Sequence, residues 1–356
     1  MRRPEFANTR ENALNFLAKA QVVRLATTTP EGAPVLRTLN AVVDQDYLLF
    51  HGAKAGEKAL AIGRMAVASA DETIASIPSY FVDPERACPA TTFYESVQVH
   101  GTLERIDDPE RKARMLSSLM EKYQPEGGYR PIEARSEMYQ GAVRGVLVFG
   151  LALADVSGKL KVGQNRKPEE LAAIVEGLWA RGAAGDVRAI QRIFLGNPAF
   201  ARPSRFTASA GIQLEPSLDE ESLEAAVALV ADEYWNRRYS RERLRQAHRA
   251  SAAWVGARAP SGELIATARA VSDGAKFAYV ADVAVRRDHR GNGVGQALVR
   301  LLLEHPALRG AHLVRLGTAD AQSFYRGLGF VESSTLDFGF RSTAMTLVRA
   351  ECADPG

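Results

Sequence analysis

The hydrophobic pattern in the first half of the chain predicts many short strands and few helices. Apolar and β-branched residues recur in short runs, and turn residues separate them, as at 30–32 (Pro-Glu-Gly) and 44–46 (Asp-Gln-Asp). The predicted strands are 22–27, 35–43, 47–50, 96–101 with its continuation to 106, 143–154 and 159–162. Helices are predicted at 109–122 and 168–180. This arrangement is typical of a mostly-β domain built on a closed or nearly closed barrel.

The pattern changes after a stretch at 196–213 whose Gly, Pro, Ser and Asn content indicates a connection rather than a core. Beyond it, strands and helices alternate. A helix is predicted at about 218–233, strands at 253–258, 263–272 and 277–285, and a further helix beginning at Gly293. We therefore predict a first domain at 1–200, a linker at 201–213 and an α/β domain at 214–356.

Composition supports this division and excludes several classes of function. The chain has 356 residues, of which 46% are hydrophobic and 24% charged, as expected for two globular domains. A net charge of +3 gives no electrostatic reason to expect nucleic acid. We expect no membrane segment, because no apolar run is long enough to span a bilayer. Cys88 and Cys352 stand alone, which predicts a reducing, cytoplasmic location and no cysteine-based metal site.

The residues that carry the most chemical information lie at 279–298, where a β-rich run meets a basic, glycine-rich turn and then a helix. The turn reads Arg290-Gly291-Asn292-Gly293-Val294-Gly295. Backbone N–H groups in such a turn can point at a pyrophosphate, and the helix N-terminus adds partial positive charge. Taken alone, this turn is equally typical of dinucleotide sites and of packing turns, so a second motif is needed to decide its role.

A second motif follows at 321–330, Ala-Gln-Ser-Phe-Tyr-Arg-Gly-Leu-Gly-Phe. Together the two resemble the R/Q-x-x-G-x-G/A and A-x-x-F-Y-x-x-x-G-F motifs of GNAT acetyltransferases, over about 214–348. The resemblance implies an α/β GNAT fold with a mixed central sheet. It also implies N-acetyltransfer from acetyl-CoA to a small-molecule amine.

The resemblance assigns roles to individual residues of this part of the chain. The backbone of Val283 and Val285 would pair with the pantetheine arm, and Tyr325 would protonate the departing thiolate. Asp282 is the acidic residue nearest in sequence for a catalytic base, with a structural carboxylate as the alternative. Tyr234 and Trp235 would line the amine pocket or else belong to the core. The pyrophosphate would be held by Arg290, Gly291, Gly293 and Gly295.

The first domain resembles the pyridoxamine-phosphate-oxidase-like split barrel, an FMN-binding fold, over about 10–195. The resemblance rests on the segments 34–40, 50–58, 96–99 and 160–166. FMN needs cationic groups for its phosphate and polar or backbone groups for its ring, although each of these charges taken alone would be an ordinary solvated turn residue. The residues expected to bind FMN are Arg37, Thr38, His51, Lys54, Lys58, Ser96 and Arg166. The resemblance also implies a homodimer formed through the barrel.

These patterns lead to one principal hypothesis and two alternatives. The principal one is a bifunctional enzyme that joins an FMN-linked oxidoreductase barrel to an amine acetyltransferase. In the second, the barrel is a catalytically silent dimerisation or ligand-sensing module. In the third, the chain is a regulatory protein that senses flavin or acyl-CoA. Split barrels of this type also bind haem or deazaflavins, so the barrel's cofactor and redox substrate stay open.

Overall fold

The computed structural model describes residues 3–55 and 57–336. Gly56, in segment 50–58 of the predicted FMN-binding domain, and the last residues of the predicted second domain, 337–356 with Cys352, lie outside the described residues. The chain divides into two compact units. The first is Met1–Thr207 with Glu215–Ser217 and His305–Ala307, and the second is Ala208–Leu214, Leu218–Glu304 and Leu308–Gly356. The division after Thr207 falls inside the predicted linker.

The first unit is built on two antiparallel sheets. One has the strand order β2-β1-β5-β6-β9 and the other β3-β4-β8-β7. The chain passes from one sheet to the other at Asn40 and at Leu103, each of which separates two strands by one residue. The strands are β1 Val23–Thr28, β2 Pro34–Leu39, β3 Ala41–Asp44, β4 Tyr47–Gly52, β5 Met65–Ile77, β6 Thr91–Thr102, β7 Glu104–Ile106, β8 Leu147–Ala152 and β9 Asp155–Lys161.

Alternation along these strands fills the core of the first unit. Leu25, Ala68 and Val99 face inward on neighbouring strands of the larger sheet and are almost completely buried. On the smaller sheet, Phe50 and Phe149 stack with ring centroids 5.6 Å apart. The helices of this unit are α1 Arg10–Lys19, α2 Glu57–Leu60, α3 Pro109–Tyr123, α4 Gln140–Gly145, α5 Pro168–Arg181 and α6 Asp186–Gly196.

The second unit is a mixed sheet with helices. Its strand order is β10-β11-β12-β13-β14, antiparallel from β11 to β13, and β14 is parallel to β13. The strands are β10 Gln213–Glu215, β11 Ala253–Arg258, β12 Leu264–Ser272, β13 Phe277–Val285 and β14 Leu313–Arg315. The helices are α7 Leu223–Val230, α8 Arg241–Arg249, α9 Val294–Glu304 and α10 Gln322–Arg326. None of the described helices is long and apolar enough to cross a membrane.

The predicted fold class is confirmed for both units, with local corrections. The predicted strand 35–43 is two strands, because the chain changes sheet at Asn40. The predicted strand 143–154 begins as helix α4 and becomes strand only at Leu147. The helix predicted at 218–233 is regular only over α7, after a 3-10 turn at Glu220–Ser222 that Asp219 caps.

Candidate functional site

A cavity of about 780 Å³ in the second unit contains all ten residues that the sequence assigned to acetyl transfer. It lies against β13, the turn before α9, the segment after α7 and the start of α10. The ten predicted residues among its lining are Tyr234, Trp235, Asp282, Val283, Val285, Arg290, Gly291, Gly293, Gly295 and Tyr325. The two sequence motifs therefore form one site.

Strand β13 carries a bulge at Asp282 where it passes the cavity. Asp282 has a left-handed φ of 50°, and the pairing of β12 with β13 shifts register between Thr267 and Arg269. The ladder between β13 and β14 ends at Tyr279. Within the described residues, the β14-facing edge of β13 beyond Tyr279 has no partner strand, which leaves backbone near Val283 available to a ligand.

The Asp282 carboxylate is buried and fully engaged. Its Oδ1 accepts hydrogen bonds from Trp235 Nε1 (3.0 Å) and Asn236 Nδ2 (2.8 Å), and its Oδ2 accepts one from Arg269 Nε (2.5 Å). Burial alone would raise the pKa of this carboxyl. The Arg269 charge and the three hydrogen bonds outweigh burial and hold the pKa below its ordinary value. These contacts favour the structural alternative for Asp282, because a base needs an oxygen that is free to accept a proton.

The glycine-rich turn presents free backbone donors. Gly291 and Gly293 have φ of 81° and 78°, a region that glycine occupies without strain. Helix α9 starts at Val294, and the first N–H bonded back to the turn is that of Ala297, on Gly293 O. In the described part of the chain, the N–H groups of 291–296 have no backbone acceptor. The turn can therefore donate to a phosphate group.

Arg290 is placed differently from its predicted role. Its Nε donates to Val285 O (2.7 Å), and its Nη2 lies 3.0 Å from Glu233 Oε1. The side chain fixes the turn to the end of β13 and to the segment after α7. Its charge is partly balanced by Glu233, so the backbone of the turn offers more to a pyrophosphate than this guanidinium does.

Tyr325 stands at the other side of the cavity, half-buried at α10. Its ring makes edge contacts with Phe324 (4.9 Å) and Phe330 (5.8 Å), which fix its orientation. Burial, followed by the charges of Tyr234 and Asp320, raises the pKa of the Tyr325 hydroxyl. A tyrosine in this environment stays protonated at neutral pH and can act as an acid.

In the first unit, segment 50–58, where His51, Lys54 and Lys58 are expected to bind the FMN phosphate, runs from the end of β4 into α2 and brings His51 and Lys58 together. We call it the phosphate segment. Lys58 lies over Gly52, and a Cβ on that glycine would stand 3.3 Å from Lys58 Cδ and 3.5 Å from its Nζ. Desolvation of the ring and the nearby Lys58 charge lower the pKa of His51. Within the described residues, neither Lys54 nor Lys58 has a carboxylate at ion-pair distance, so the phosphate segment can accept an anion.

The remaining predicted flavin residues do not all lie at the phosphate segment. Arg37 pairs with Leu25 across β1, so it faces inward, and its Nη1 lies 3.4 Å from Thr27 Oγ1. Thr38 points to the other face of β2. Ser96 on β6 lies three residues from inward-facing Val99 and therefore faces outward. Three strand spacings, about 14 Å, separate its strand from β2, which carries Arg37. Arg166 follows β9 and donates to Pro89 O (2.7 Å). One chain thus does not gather the seven residues in one place.

Family models match both units. The pyridoxamine 5'-phosphate oxidase model matches residues 9–160, and the acetyltransferase (GNAT) family model matches residues 217–330. The chain joins an oxidase-like domain to a GNAT domain. The GNAT domain implies acyltransfer with acetyl-CoA, as the two motifs predicted. No curated protein matches the chain.

Solved structures resemble each domain separately. A flavocytochrome from Azotobacter vinelandii is 18% identical in sequence, with a TM-score of 0.37. The match covers 44% of this chain and 69% of the flavocytochrome chain. An FAD- and haem-binding protein from Mycobacterium smegmatis is 22% identical over 46% of this chain and 78% of its own (TM-score 0.36). A GNAT-family protein from Xanthomonas campestris is 28% identical over 35% of this chain and 91% of its own (TM-score 0.32).

Sequence reasoning missed several residues of the GNAT cavity. Arg269 and Asn236 hold Asp282, and Asp320 lies beside Tyr325. Arg269 had a signal, because it is the single charged residue in the apolar strand β12. Asp320 had a signal too, because it directly precedes the second motif, next to Ala321. Asn236 gave no signal, because its role depends on the left-handed bulge that brings Asp282 to it.

Proposed function

We propose that the GNAT domain transfers the acetyl group of acetyl-CoA to a small-molecule amine. The observation that carries this proposal is the convergence of the glycine turn, the open edge of β13 and Tyr325 on one cavity. The unpartnered N–H groups of the turn fit a pyrophosphate. The open strand edge near Val283 fits the amide groups of a pantetheine arm, which can pair with backbone as a strand would.

The reaction needs one proton delivered and one removed. The neutral amine attacks the thioester carbonyl, a C–N bond forms and the C–S bond breaks. The sulfur takes its proton from the Tyr325 hydroxyl, whose raised pKa keeps that proton in place until the thiolate departs. The surplus proton of the amine passes to a carboxylate or to water.

We propose that Asp320 is the carboxylate that accepts the proton of the amine. It lines the cavity, is exposed and acts electrostatically on Tyr325. In the described part of the chain no cation lies within ion-pair distance of it, in contrast to Glu233 and Asp282, which pair with Arg290 and Arg269. An unpaired carboxylate beside the acid attracts an ammonium and can accept its proton. Tyr234 and Trp235 provide the aromatic wall of this side.

The test is thioester cleavage by the full chain with a panel of amines, read as thiol release. We expect amine-dependent release of coenzyme A, and Tyr325→Phe should lower kcat by about 10²-fold or more while the Kd for acetyl-CoA stays unchanged. Binding of acetyl-CoA without turnover for every amine would instead favour a sensor. Equal turnover in the Tyr325→Phe variant would remove this hydroxyl from the mechanism.

We also propose that the oxidase-like domain binds FMN, with His51, Lys54 and Lys58 of the phosphate segment at its phosphate. The Lys58 side chain over Gly52 and the absence of neutralising carboxylates among the described residues support this assignment. FMN would supply hydride or electron transfer. The chain's own contribution is to hold the phosphate and to keep the His51 ring uncharged beside Lys58.

The Kd for FMN in one variant and its control tests the flavin proposal. Lys58→Ala should raise the Kd for FMN about tenfold or more, because it removes a charge-assisted contact to the phosphate. Flavin fluorescence quenching measures this directly, without any redox assay. Lys167→Ala, an exposed lysine elsewhere in the same domain, is the matched control. An unchanged Kd in the Lys58 variant would show that the phosphate binds elsewhere.

A homodimer formed through the oxidase-like domain completes the proposal. The strand β2 stands at the edge of its sheet, and Leu36 on it is 67% exposed. A second copy that covers this edge would also explain why Ser96 and Arg166 lie apart from the phosphate segment in one chain. Sedimentation of the full chain should give twice the chain mass. A monomer at micromolar concentration would contradict this assembly.

A further inference from the structure

The lining of the GNAT cavity carries three arginines and three acidic residues, and two of each kind pair with one another. The two pairs are Arg269 with Asp282 and Arg290 with Glu233. Arg238 and Asp320 are left over. Within the described residues, Arg238 has no carboxylate at ion-pair distance, and Asp320 has no cation there. The cavity therefore presents two unpaired charges of opposite sign.

The Arg238 guanidinium is held against the ring of Tyr239, on the segment between α7 and α8. Its Cζ lies 4.9 Å from the centre of that ring, and its Nη2 donates to the Tyr239 hydroxyl at 2.8 Å. Because the hydroxyl oxygen accepts from Arg238, the hydroxyl proton is available to another acceptor. Both residues line the cavity. The pair can thus offer a guanidinium N–H and an O–H to one anionic group.

The two unpaired charges belong to segments that meet at the same part of the cavity. The hydroxyl of Tyr234 accepts a hydrogen bond from the backbone N–H of Ala319 (3.0 Å). This contact joins the segment after α7, which carries Arg238, to the segment before α10, which carries Asp320. Asp320 acts electrostatically on Tyr325, so this is the part of the cavity where the acetyl group would be transferred.

We infer that the acetyl acceptor is an amino acid, with its carboxylate at Arg238 and Tyr239 and its amine at Asp320. This inference rests on the acetyl transfer proposed above. An amine that carries an anionic group compensates both unpaired charges, whereas a simple amine leaves the Arg238 charge without a partner. One unpaired arginine matches the single charge of a carboxylate rather than the two charges of a phosphate. The new C–N bond forms at the amine alone, so the carboxylate serves only for recognition.

The test is coenzyme A release with ω-amino acids of three to six carbons, each compared with its amide. The value of kcat/KM is expressed per neutral amine, so that different amine pKa values do not enter. We expect the best acid to exceed its amide about tenfold or more, because the amide lacks the charge-assisted hydrogen bonds of the carboxylate.

Variants of Arg238 show whether this preference comes from the proposed contact. Arg238→Gln should remove the preference by raising the KM of the acid, with the KM of the amide and the Kd for acetyl-CoA unchanged. Arg238→Glu should reverse it, so that the matched diamine becomes the better acceptor. Tyr239→Phe should weaken the preference, since it removes the second donor. Arg243→Gln, at an exposed arginine of the same basic stretch that does not line the cavity, is the matched control.

Three outcomes would overturn the inference and leave the transfer itself intact. The first is equal use of acids and amides by the unchanged chain. The second is a preference that survives in Arg238→Gln while the Kd for acetyl-CoA rises, which would assign Arg238 to the coenzyme. The third is stronger Arg238-dependent use of 2-aminoethyl phosphate than of β-alanine, which would make the anion a phosphate.

Failure of the transfer is distinguished by binding. If no amine is acetylated, the same acids and amides are titrated calorimetrically into the full chain in the presence of coenzyme A. Saturable binding of an acid that Arg238→Gln weakens about tenfold or more would support the recognition and contradict the transfer. Absence of such binding would overturn both proposals.

Discussion

Replacing Asp282 with Asn separates a structural carboxylate from a catalytic one. Asn keeps the volume of the side chain and tolerates the left-handed φ of 50°, so the bulge itself is not strained. The substitution removes the negative charge and replaces one acceptor oxygen with an NH₂ group. In one orientation of the amide this NH₂ group faces Arg269, and in the other it faces Trp235 and Asn236. In each orientation a buried donor meets a donor.

The size of the effect follows from these contacts. Breaking a buried ion pair from one side costs about 3–5 kcal/mol, because the other charge stays buried. Arg269 is 16% exposed at its side chain and Asp282 3%, so this pair belongs to that class. We expect the free energy of unfolding to fall by about 3 kcal/mol, which lowers the melting temperature of a domain of this size by about 10 °C.

The assay is scanning calorimetry of the full chain, with the GNAT transition identified by its upward shift on adding acetyl-CoA. Asp288→Asn is the matched control. Asp288 pairs with Arg286 at the surface (2.7 Å), and such pairs contribute about 0–1 kcal/mol. Asp320→Asn should melt normally but lose activity, since its carboxylate has no structural partner in the described chain.

The reasoning would be refuted by the opposite pattern. If the Asp282 variant melts like the unchanged chain and loses turnover about 10²-fold, the carboxylate acts as the base despite its three donors. If the Asp320 variant keeps full activity, the amine proton leaves by another route. The two substitutions together therefore assign stability and proton transfer to different carboxylates.

Three further predictions follow from the GNAT domain. The alkaline decrease of kcat should lie above pH 10, because the raised pKa of Tyr325 keeps the hydroxyl protonated beyond the usual tyrosine range. A pH profile of kcat from 7 to 11 measures this decrease, and a decrease near pH 8 would contradict the prediction. Gly293→Val should raise the KM for acetyl-CoA about tenfold or more, since a β-branched residue cannot hold φ of 78°, while Gly293→Asn should lose less. Burial lowers the pKa of His248, so at acidic pH the unfolded chain binds one proton more than the folded chain. The free energy of unfolding should therefore fall below about pH 6.5, by up to about 1.4 kcal/mol per pH unit. Urea midpoints at pH 7.5 and 5.5 should show this fall, reduced in His248→Phe.

The strands and helices were predicted best where strong β-forming residues or glycine turns mark their bounds. The strands at 253–258 and 277–285 and the start of α9 agree with the structure, because each is an apolar run that ends at a turn. Strand β5 was missed, although it has 13 residues. Its inward positions are mostly alanine, so its alternation has little hydrophobic contrast, and long-range pairing with β1 and β6 decides its structure.

Prediction of the candidate sites was limited in the same way, by strand pairing between distant parts of the chain. Eight of the ten predicted GNAT residues lie in the two segments 279–298 and 321–330, and the local backbone fixes where each segment points. Tyr234 and Trp235 lie outside both segments. The position of Ser96 relative to Arg37 depends on the order of four strands, which short-range pattern does not give. The two faces of that sheet could be assigned only from its register.

With acetyl-CoA bound as proposed, the open edge of β13 would tie the stability of the protein to the supply of acetyl-CoA. Past Tyr279, the strand has backbone groups that the described chain leaves without a strand partner on that side, so the proposed acyl-CoA would act as a temporary neighbouring strand. Binding to the folded state alone adds about 2.7 kcal/mol of stability when acetyl-CoA stands at one hundred times its Kd. A cell depleted of acetyl-CoA would then hold a larger unfolded fraction, open to proteases, and would lose this protein faster than a well-supplied one.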